Sequence, residues 1–370
     1  MIDIAEKVFK GFDYYRKDTS LSKSKFHFPV LPIISYSLQT GFVGGLTTNV
    51  SFTNGKDNST KVSNVLMTLA YTQYNQVLFL IQPAIWTDGN RYNITADIDF
   101  LKYPVKSFGL GATTENDLTR IDYNYTKFHI MLVRKIVSDF SIGLGYMFDF
   151  HWNIQETRQG NDPDTTDKTD FQKYDGRPPH SLSSGATLNL LYDSRHNAIN
   201  AEDGFYCNVN YRSNLTVLGS DNNWQSLLID MRKYFRFPES TKNVLAFWSY
   251  NWLTLSGHPP FLDLPSTQWD MYGNTGRGYI QGRFRGLNMV DLETEYRFGI
   301  LRNGLIGGVV FANMQSFSNY FTNGMSPLYP GYGFGLRLKI EKYSRTNVCF
   351  DYGFGAYGSQ GLFLNLTEVF

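Results

Sequence analysis

Residues 332–340 decide the fold class, and they read Tyr-Gly-Phe-Gly-Leu-Arg-Leu-Lys-Ile. The even positions carry large apolar or aromatic side chains, whereas the odd positions carry Gly, Gly, Arg and Lys. Successive side chains of a β-strand point to opposite faces, so one face of this stretch favours lipid and the other favours water. Residues 348–355, Val-Cys-Phe-Asp-Tyr-Gly-Phe-Gly, repeat the pattern. Alternation alone is also compatible with a soluble β-sandwich.

The same alternation recurs from residue 40 onward, in segments of about ten residues separated by turn sequences, which is typical of a membrane barrel. We predict sixteen strands, with the first at 40–53, the last at 360–370, and two separate strands at 91–103 and 105–114. An even number of strands returns both termini to the same side and lets the first strand pair with the last.

The connections between the predicted strands are alternately short and long. Residues 137–139 and 301–304 form tight turns, whereas 155–180 and 257–290 form long loops. Short turns face the periplasm in outer-membrane barrels, and long loops face the cell exterior. The sequence therefore predicts an all-β fold, a single transmembrane antiparallel β-barrel of about sixteen strands in the bacterial outer membrane.

Composition excludes several classes of protein. The 370 residues carry a formal net charge of +1, which gives no electrostatic footprint for nucleic acid. No stretch of eighteen apolar residues is present, so helical membrane proteins are excluded. Aromatic residues make up 16% of the chain, which suits the girdles of a membrane barrel. Cys207 and Cys349 match no metal-binding or redox spacing, so we expect two free thiols and no cofactor.

The N-terminal residues have a different pattern. Apolar side chains recur at helical spacing through residues 2–12, with charged residues on the other side. We predict a short periplasmic or interfacial segment at 1–24, helical in part, followed by the barrel at 25–370. A frayed terminus is the alternative. No secretory signal peptide opens the sequence, as expected of a mature or trimmed chain.

Residues 276–286 form the most distinctive motif, Gly-Arg-Gly-Tyr-Ile-Gln-Gly-Arg-Phe-Arg-Gly. A long external loop rich in Gly and Arg can fold back into a polar lumen, where a buried arginine needs a carboxylate partner. Glu295 is the leading candidate, because alternation places it on the lumen face of the strand that follows the loop. The alternative is that these arginines are solvated loop charges.

This motif resembles the Arg-Gly-aromatic motif in the sixth external loop of the BamA/TamA superfamily of outer-membrane assembly and secretion barrels. Residues 193–204, which run from Asp-Ser-Arg to Asp-Gly, residues 293–298, and the glycine-rich ending on Phe370 also fall where that family would place them. The resemblance covers residues 28–370. It implies an inward-folded sixth loop whose lumen motif comprises Arg277, Gly278, Tyr279, Gly282 and Arg283.

Two departures from the family pattern stand out. Asn313 lies where the family usually carries an inward acidic residue, so it offers at most a neutral hydrogen bond, and we expect an Asp there to tighten the loop. The residues before position 40 are too few for a periplasmic POTRA domain, so we expect a stand-alone barrel.

The resemblance implies protein assembly, insertion or translocation through a lateral gate between the first and last strands. Gly41, Gly44 and Gly45 would weaken the predicted first strand, and Phe370 would end the strand facing it. The implied partners are outer-membrane lipid and lipopolysaccharide, client β-barrel or secreted proteins, and a separate periplasmic helper. The alternative is a permanently closed barrel that acts as a plugged passive pore or a structural element.

Catalysis is the remaining alternative. His180 and Ser181 are similar to the His and Ser of outer-membrane lipid hydrolases, yet the chain has no Gly-x-Ser-x-Gly elbow, so we predict that it is not an enzyme. The acidic residues 161–170 lack the Gly and Glu of an EF-hand loop, and no metal site is predicted.

Overall fold

The computed structural model describes residues 30–54, 60–111, 118–158, 167–176, 178–318, 320, 324–340 and 345–370. The predicted helix at 2–12 and the segment 1–24 lie outside these residues, as do positions 161–166 of the acidic stretch.

The described residues form seventeen strands and one short α-helix, α1 (Asp170–Asp175). No helix in these parts of the chain combines the length and the apolar character that crossing a membrane requires. The strands are β1 (Val30–Ser37), β2 (Gly41–Phe52), β3 (Ser63–Thr72), β4 (Val77–Trp86), β5 (Tyr92–Lys102), β6 (Val105–Ser107), β7 (Thr119–Lys135), β8 (Phe140–Arg158), β9 (His180–Asp193), β10 (Gly204–Asn214), β11 (Trp224–Arg236), β12 (Val244–Gly257), β13 (Asn288–Gly299), β14 (Ile306–Phe317), β15 (Tyr329–Lys339), β16 (Asn347–Gly355) and β17 (Gln360–Leu366).

The strands form one antiparallel meander with sixteen wall positions. Strands β5 and β6 both pair with β7, at its two ends, so together they fill one position. Pro104 lies between them, and its missing N–H interrupts the ladder. The predicted barrel of sixteen strands is confirmed, but residues 105–114 are not a separate strand.

The first wall strand also differs from the prediction. It is β1, which pairs with β2 from Val30 opposite Thr48 to Ser37 opposite Gly41. Pro32 made this segment a poor strand candidate, because proline is confined to sheet edges and bulges. Pro32 does lie at a sheet edge, because β1 has a laddered neighbour on one side only among the described residues.

Alternation places large side chains outside and polar ones inside, as predicted. On β15 the outward Leu336 is 54% exposed on the isolated chain, whereas the inward Arg337 is 4% exposed. The inward residues of β12, among them Trp248 and Tyr250, form one buried and largely aromatic cluster with Tyr279 and Phe284 of the sixth external loop. The lumen of this half of the barrel is therefore a packed core.

The barrel does not close with a ladder between its first and last strands. Strands β1 and β17 approach each other, but no backbone hydrogen bonds join their described residues. The predicted last strand, 360–370, ends at Leu366, and residues 367–370 turn into the lumen. They leave the wall because the inward side chains of Glu368 and Phe370 have partners inside the barrel. We refer to the β1–β17 boundary as the seam.

Candidate functional site

The connection between β12 and β13, residues 258–287, is the sixth external loop and folds into the lumen. Its three motif arginines are buried, with exposed fractions of 1% for Arg277, 7% for Arg283 and 4% for Arg285. They are therefore not solvated loop charges. We refer to residues 258–287 as loop 6.

Arg277 lies at the centre of a group of carboxylates. Its Nη2 is 2.5 Å from Glu295 Oε1 and 3.4 Å from Glu293 Oε2, and its Nη1 is 2.8 Å from Asp351 Oδ2. The guanidinium also lies over the Phe311 ring, 3.8 Å from its centroid. Burial by itself would lower the pKa of Arg277, but these three carboxylates raise it above its usual range. The cation is therefore strongly held.

Asp351 was not predicted as a partner. Alternation had placed it on the lumen face of β16, but nothing in the sequence indicates that loop 6 crosses to that strand. Asn313 makes a different contact from the one expected of the family acid: its Nδ2 donates to the backbone carbonyl of Arg277 at 2.8 Å. Asp351 and Glu293 thus supply carboxylates beside Glu295, and Asn313 binds the loop backbone.

The carboxylates of this site continue into a larger network. Arg337 pairs with Asp351, and its Nε lies 2.8 Å from Glu368 Oε2. Arg297 pairs with Glu295 at 2.7 Å and donates to a main-chain oxygen of Phe370 at 2.7 Å. Three arginines and four carboxylates are joined in this way, and we call them the anchor network: Arg277, Arg297, Arg337, Glu293, Glu295, Asp351 and Glu368.

Glycines on the wall let the loop backbone lie against β16. A β-carbon added at Gly353 would lie 2.7 Å from the Gly278 nitrogen, and one at Gly355 would lie 2.6 Å from the Tyr279 ring. Gly278 itself has a φ of +108° and lies close to the β16 backbone. Only glycine fits such a close approach with this backbone conformation.

Tyr279 and Gly282 contribute to packing rather than to the ionic contacts. The Tyr279 hydroxyl donates to the Pro330 carbonyl at 2.5 Å and accepts from the Ala356 N–H at 2.8 Å. Gly282 has a φ of +73°, which allows the tight turn after Tyr279. Arg283 lies over aromatic rings that include Phe108 and Phe284, each 4.9 Å from its Cζ.

The first residues of loop 6 contact the wall opposite the anchor network. Asp263 accepts a hydrogen bond from Ser183 of β9 at 2.5 Å and lies 3.5 Å from His151 Nδ1 of β8. Burial, with like charge nearby, raises the pKa of Asp263 to about 7. The loop-6 residue Phe261 donates its N–H to Asp175 of α1 at 2.6 Å. Loop 6 therefore spans the lumen from β16 to β9 beneath the fourth external loop.

The predicted gate glycines do not border the seam. Gly41, Gly44 and Gly45 lie on β2, opposite Ser37, Ile34 and Ile33 of β1. They lie one strand away from the seam, because the sequence analysis did not predict β1 as a strand. Phe370 is also not on the wall: its ring packs 5.1 Å from Trp248 and 6.5 Å from Tyr234 inside the lumen.

His180 and Ser181 point to opposite faces of β9. His180 is exposed and lies opposite Trp152, whereas Ser181 is buried in the lumen opposite His151. The two side chains therefore cannot act together as a catalytic pair. Within the described residues, no group of His, Cys, Asp and Glu is placed to hold a metal ion. Cys207 and Cys349 are both free, and Cys349 donates to the Thr367 carbonyl.

Two solved structures share this architecture. BamA from Haemophilus ducreyi lacking POTRA domains 1–3 is 14% identical with a TM-score of 0.62, and the match covers 93% of this chain and 70% of that chain. CdiB from Acinetobacter baumannii is 12% identical with a TM-score of 0.58, and the match covers 93% of this chain and 60% of that one. At these identities the likeness establishes the fold alone. No curated protein matches the sequence.

The family follows from the sequence itself. A model of the Omp85 superfamily domain matches residues 44–355, which is most of the chain. The family predicted from the loop-6 motif is therefore confirmed. With the sixteen-position barrel and the inward loop 6, this match establishes that the chain belongs to the Omp85 superfamily, as an outer-membrane barrel of the assembly and secretion type.

Proposed function

We propose that this barrel assembles, inserts or translocates proteins at the outer membrane, and that the seam is its lateral gate. The observation that carries the proposal is the missing ladder between β1 and β17. An unpaired strand edge can accept a client strand, with main-chain hydrogen bonds supplying affinity. The adjoining β16–β17 boundary is laddered from Val348 opposite Leu366 to Phe354 opposite Gln360, so the weakness is local.

Loop 6 would keep the lumen blocked while the seam opens. The wall residues of the anchor network lie on β13, β15 and β16, and none lies on β1. The C-terminal tail connects the two regions, because Glu368 pairs with Arg337 and the Val369 carbonyl accepts from Asn274 of loop 6 at 2.9 Å. Movement of β17 would therefore be transmitted to the loop.

The partners follow from this mode of action. Client β-barrel or secreted proteins would engage the seam, outer-membrane lipid and lipopolysaccharide would surround the wall, and a separate periplasmic helper would deliver clients. Residues 1–24 would form a periplasmic or interfacial segment ahead of the barrel at 25–370.

A disulfide that locks the seam tests the proposal. A β-carbon at Gly361 would lie within 2.6 Å of the Leu38 side chain, so Leu38→Cys with Gly361→Cys joins the two sides after Cys207 and Cys349 are replaced by serine. The matched control pairs Tyr352→Cys with Leu362→Cys, which face each other across the laddered boundary.

The assay is the rate at which an unfolded eight-stranded outer-membrane barrel folds into vesicles containing each variant. We expect oxidation to abolish the acceleration by the seam variant, reduction to restore it, and the control to be unaffected. If no form of the protein accelerates folding, the proposal fails. Large steady currents in planar bilayers would then identify a passive pore, and their absence a structural barrel.

A further inference from the structure

The outer face of β10 to β14 contains an apolar groove of about 400 Å³. Its floor is formed by three small side chains, Ser249, Thr294 and Ala312. The walls are formed by larger ones: Phe205, Met231, Phe247, Leu292 and Met314. The groove exists because the small residues leave recesses between bulky ones: Thr294 and Ala312 are adjacent beyond Phe247, and Ser249 lies between Met231 and Leu292.

The groove follows one cross-strand row. Strand pairing places Lys233 opposite Phe205 and Phe247, then Phe247 opposite Thr294, and Thr294 opposite Ala312. Four strand spacings of ~4.8 Å give a length of roughly 19 Å. An extended acyl chain spans the hydrocarbon depth of one leaflet, about 15 Å or half of a core of ~30 Å. The groove is therefore long enough to hold one acyl chain.

Lys233 places a charge near one end of the groove, between Phe205 and Phe247. Asp230 points inward and pairs with Arg232, and Glu202 and Asp203 pair with Arg236. None of these carboxylates forms an ion pair with Lys233. Among the described residues no ion pair includes Lys233, and its Nζ lies 5.1 Å from the Phe235 ring centroid. An ammonium group on an apolar wall is costly without an anion.

The position of Lys233 along the wall indicates which lipid would supply the anion. It is three residues from Arg236, the last residue of β11, at the end of the barrel that carries the short turns. A lysine at that depth extends toward the periplasmic interface, where lipid phosphates lie. Lipopolysaccharide phosphates would lie at the other end of the wall.

We propose that this groove binds one acyl chain of an anionic glycerophospholipid of the periplasmic leaflet, with Lys233 contacting its phosphate. The floor is compatible with a hydrocarbon chain, because the Ser249 hydroxyl already accepts a hydrogen bond from Asn251 at 2.8 Å. This site does not depend on whether the seam opens.

The test is native mass spectrometry of the purified barrel in detergent, titrated with phosphatidylglycerol or with phosphatidylcholine. One lysine near a lipid phosphate contributes about 1 kcal/mol, so wild type should bind one phosphatidylglycerol with a preference of about fivefold over phosphatidylcholine. Lys233→Gln should remove the preference but keep weak binding of both lipids. Lys102→Gln is the control, since Lys102 ends β5 at the exterior side.

A second pair of variants tests the groove itself. Ala312→Trp fills the floor and should lower the affinity for both lipids, whereas Ala96→Trp places the same bulk on the outer face of β5 and should not. Heat-modifiable gel mobility checks folding, and Ala312→Leu replaces the tryptophan variant if that one does not fold. Equal lipid retention by wild type and the filled variants would overturn the site. Persistence of the preference in Lys233→Gln, or preferred binding of lipopolysaccharide, would overturn the assigned ligand.

Discussion

The wall that holds loop 6 and the seam beside it differ in how tightly they are joined. Between β13 and β16 the strands are laddered, and seven buried charged side chains connect the wall to loop 6 and the C-terminal tail. Between β17 and β1 no ladder is formed by the described residues. A barrel in lipid has no water to satisfy an open edge, so such a joint costs free energy. The difference indicates that the wall from β13 to β16, which binds loop 6, is the more stable region and the seam is the less stable one.

The largest effect should come from removing the central cation. Arg277→Ala leaves Glu293, Glu295 and Asp351 without their shared partner, and breaking a buried pair typically costs about 3–5 kcal/mol. We expect faster proteolysis within 258–287 and larger conductance in planar bilayers. Arg302→Ala, at an exposed arginine in the turn after β13, is the control. Unchanged proteolysis and conductance in Arg277→Ala would show that the network does not hold the loop.

A smaller loss is expected where loop 6 lies directly on the wall. Gly353→Ala would place a β-carbon 2.7 Å from the Gly278 nitrogen, and overpacking of this kind costs about 1–3 kcal/mol. Gly44→Ala is the matched control, because nothing lies within 4 Å of its β-carbon position. Thermal unfolding in detergent should separate the two variants. Equal destabilisation by both would mean that the close approach is not what fixes the loop.

Asn313 gives a prediction opposite in sign to the one based on the family pattern. An aspartate at 313 could not donate to the Arg277 carbonyl and would face it with negative charge, so Asn313→Asp should loosen loop 6 by about 1 kcal/mol. Asn313→Ala removes the donor without adding charge and serves as the reference. Greater protease protection in the aspartate variant than in wild type would restore the original expectation.

The most local effect concerns the first residues of loop 6 and depends on pH. Burial raises the pKa of Asp263 from 3.8 to about 7, so the folded state binds this proton more tightly than the unfolded state. The resulting stabilisation is complete below pH 3.8 and is lost as pH rises through about 7. Proteolysis near residues 258–264 should therefore accelerate between pH 5 and pH 8, and Asp263→Asn should remove this dependence. A dependence that survives in Asp263→Asn would assign it to another group.

Alternation along single strands was enough to predict the barrel and its two faces. It placed Glu295, Arg337 and Asp351 on the lumen side, where the structure has them. It could not pair Arg277 with Asp351, because 74 residues separate them and their contact depends on where loop 6 crosses the lumen.

The seam was harder to predict for local reasons. Pro32 obscured β1, so the glycines of β2 were assigned to the edge. Glu368 and Phe370 fall at the even positions that carry the lipid-facing Leu362, Leu364 and Leu366 in β17, yet their side chains have partners inside the lumen once the backbone leaves the wall. A charged residue at a lipid-facing position is a local sign that the strand ends before Glu368, but the contacts that place it in the lumen are distant in the sequence.

Amide hydrogen exchange of the barrel in nanodiscs tests the contrast between wall and seam most directly. Residues 30–37 and 360–366 have one laddered neighbour each, whereas 306–317 have two. We predict that about half of the amides in the two seam strands exchange orders of magnitude faster than those of 306–317. Equal protection of all three segments would contradict the account, because it would mean that the seam is sealed by a ladder like every other boundary of the barrel.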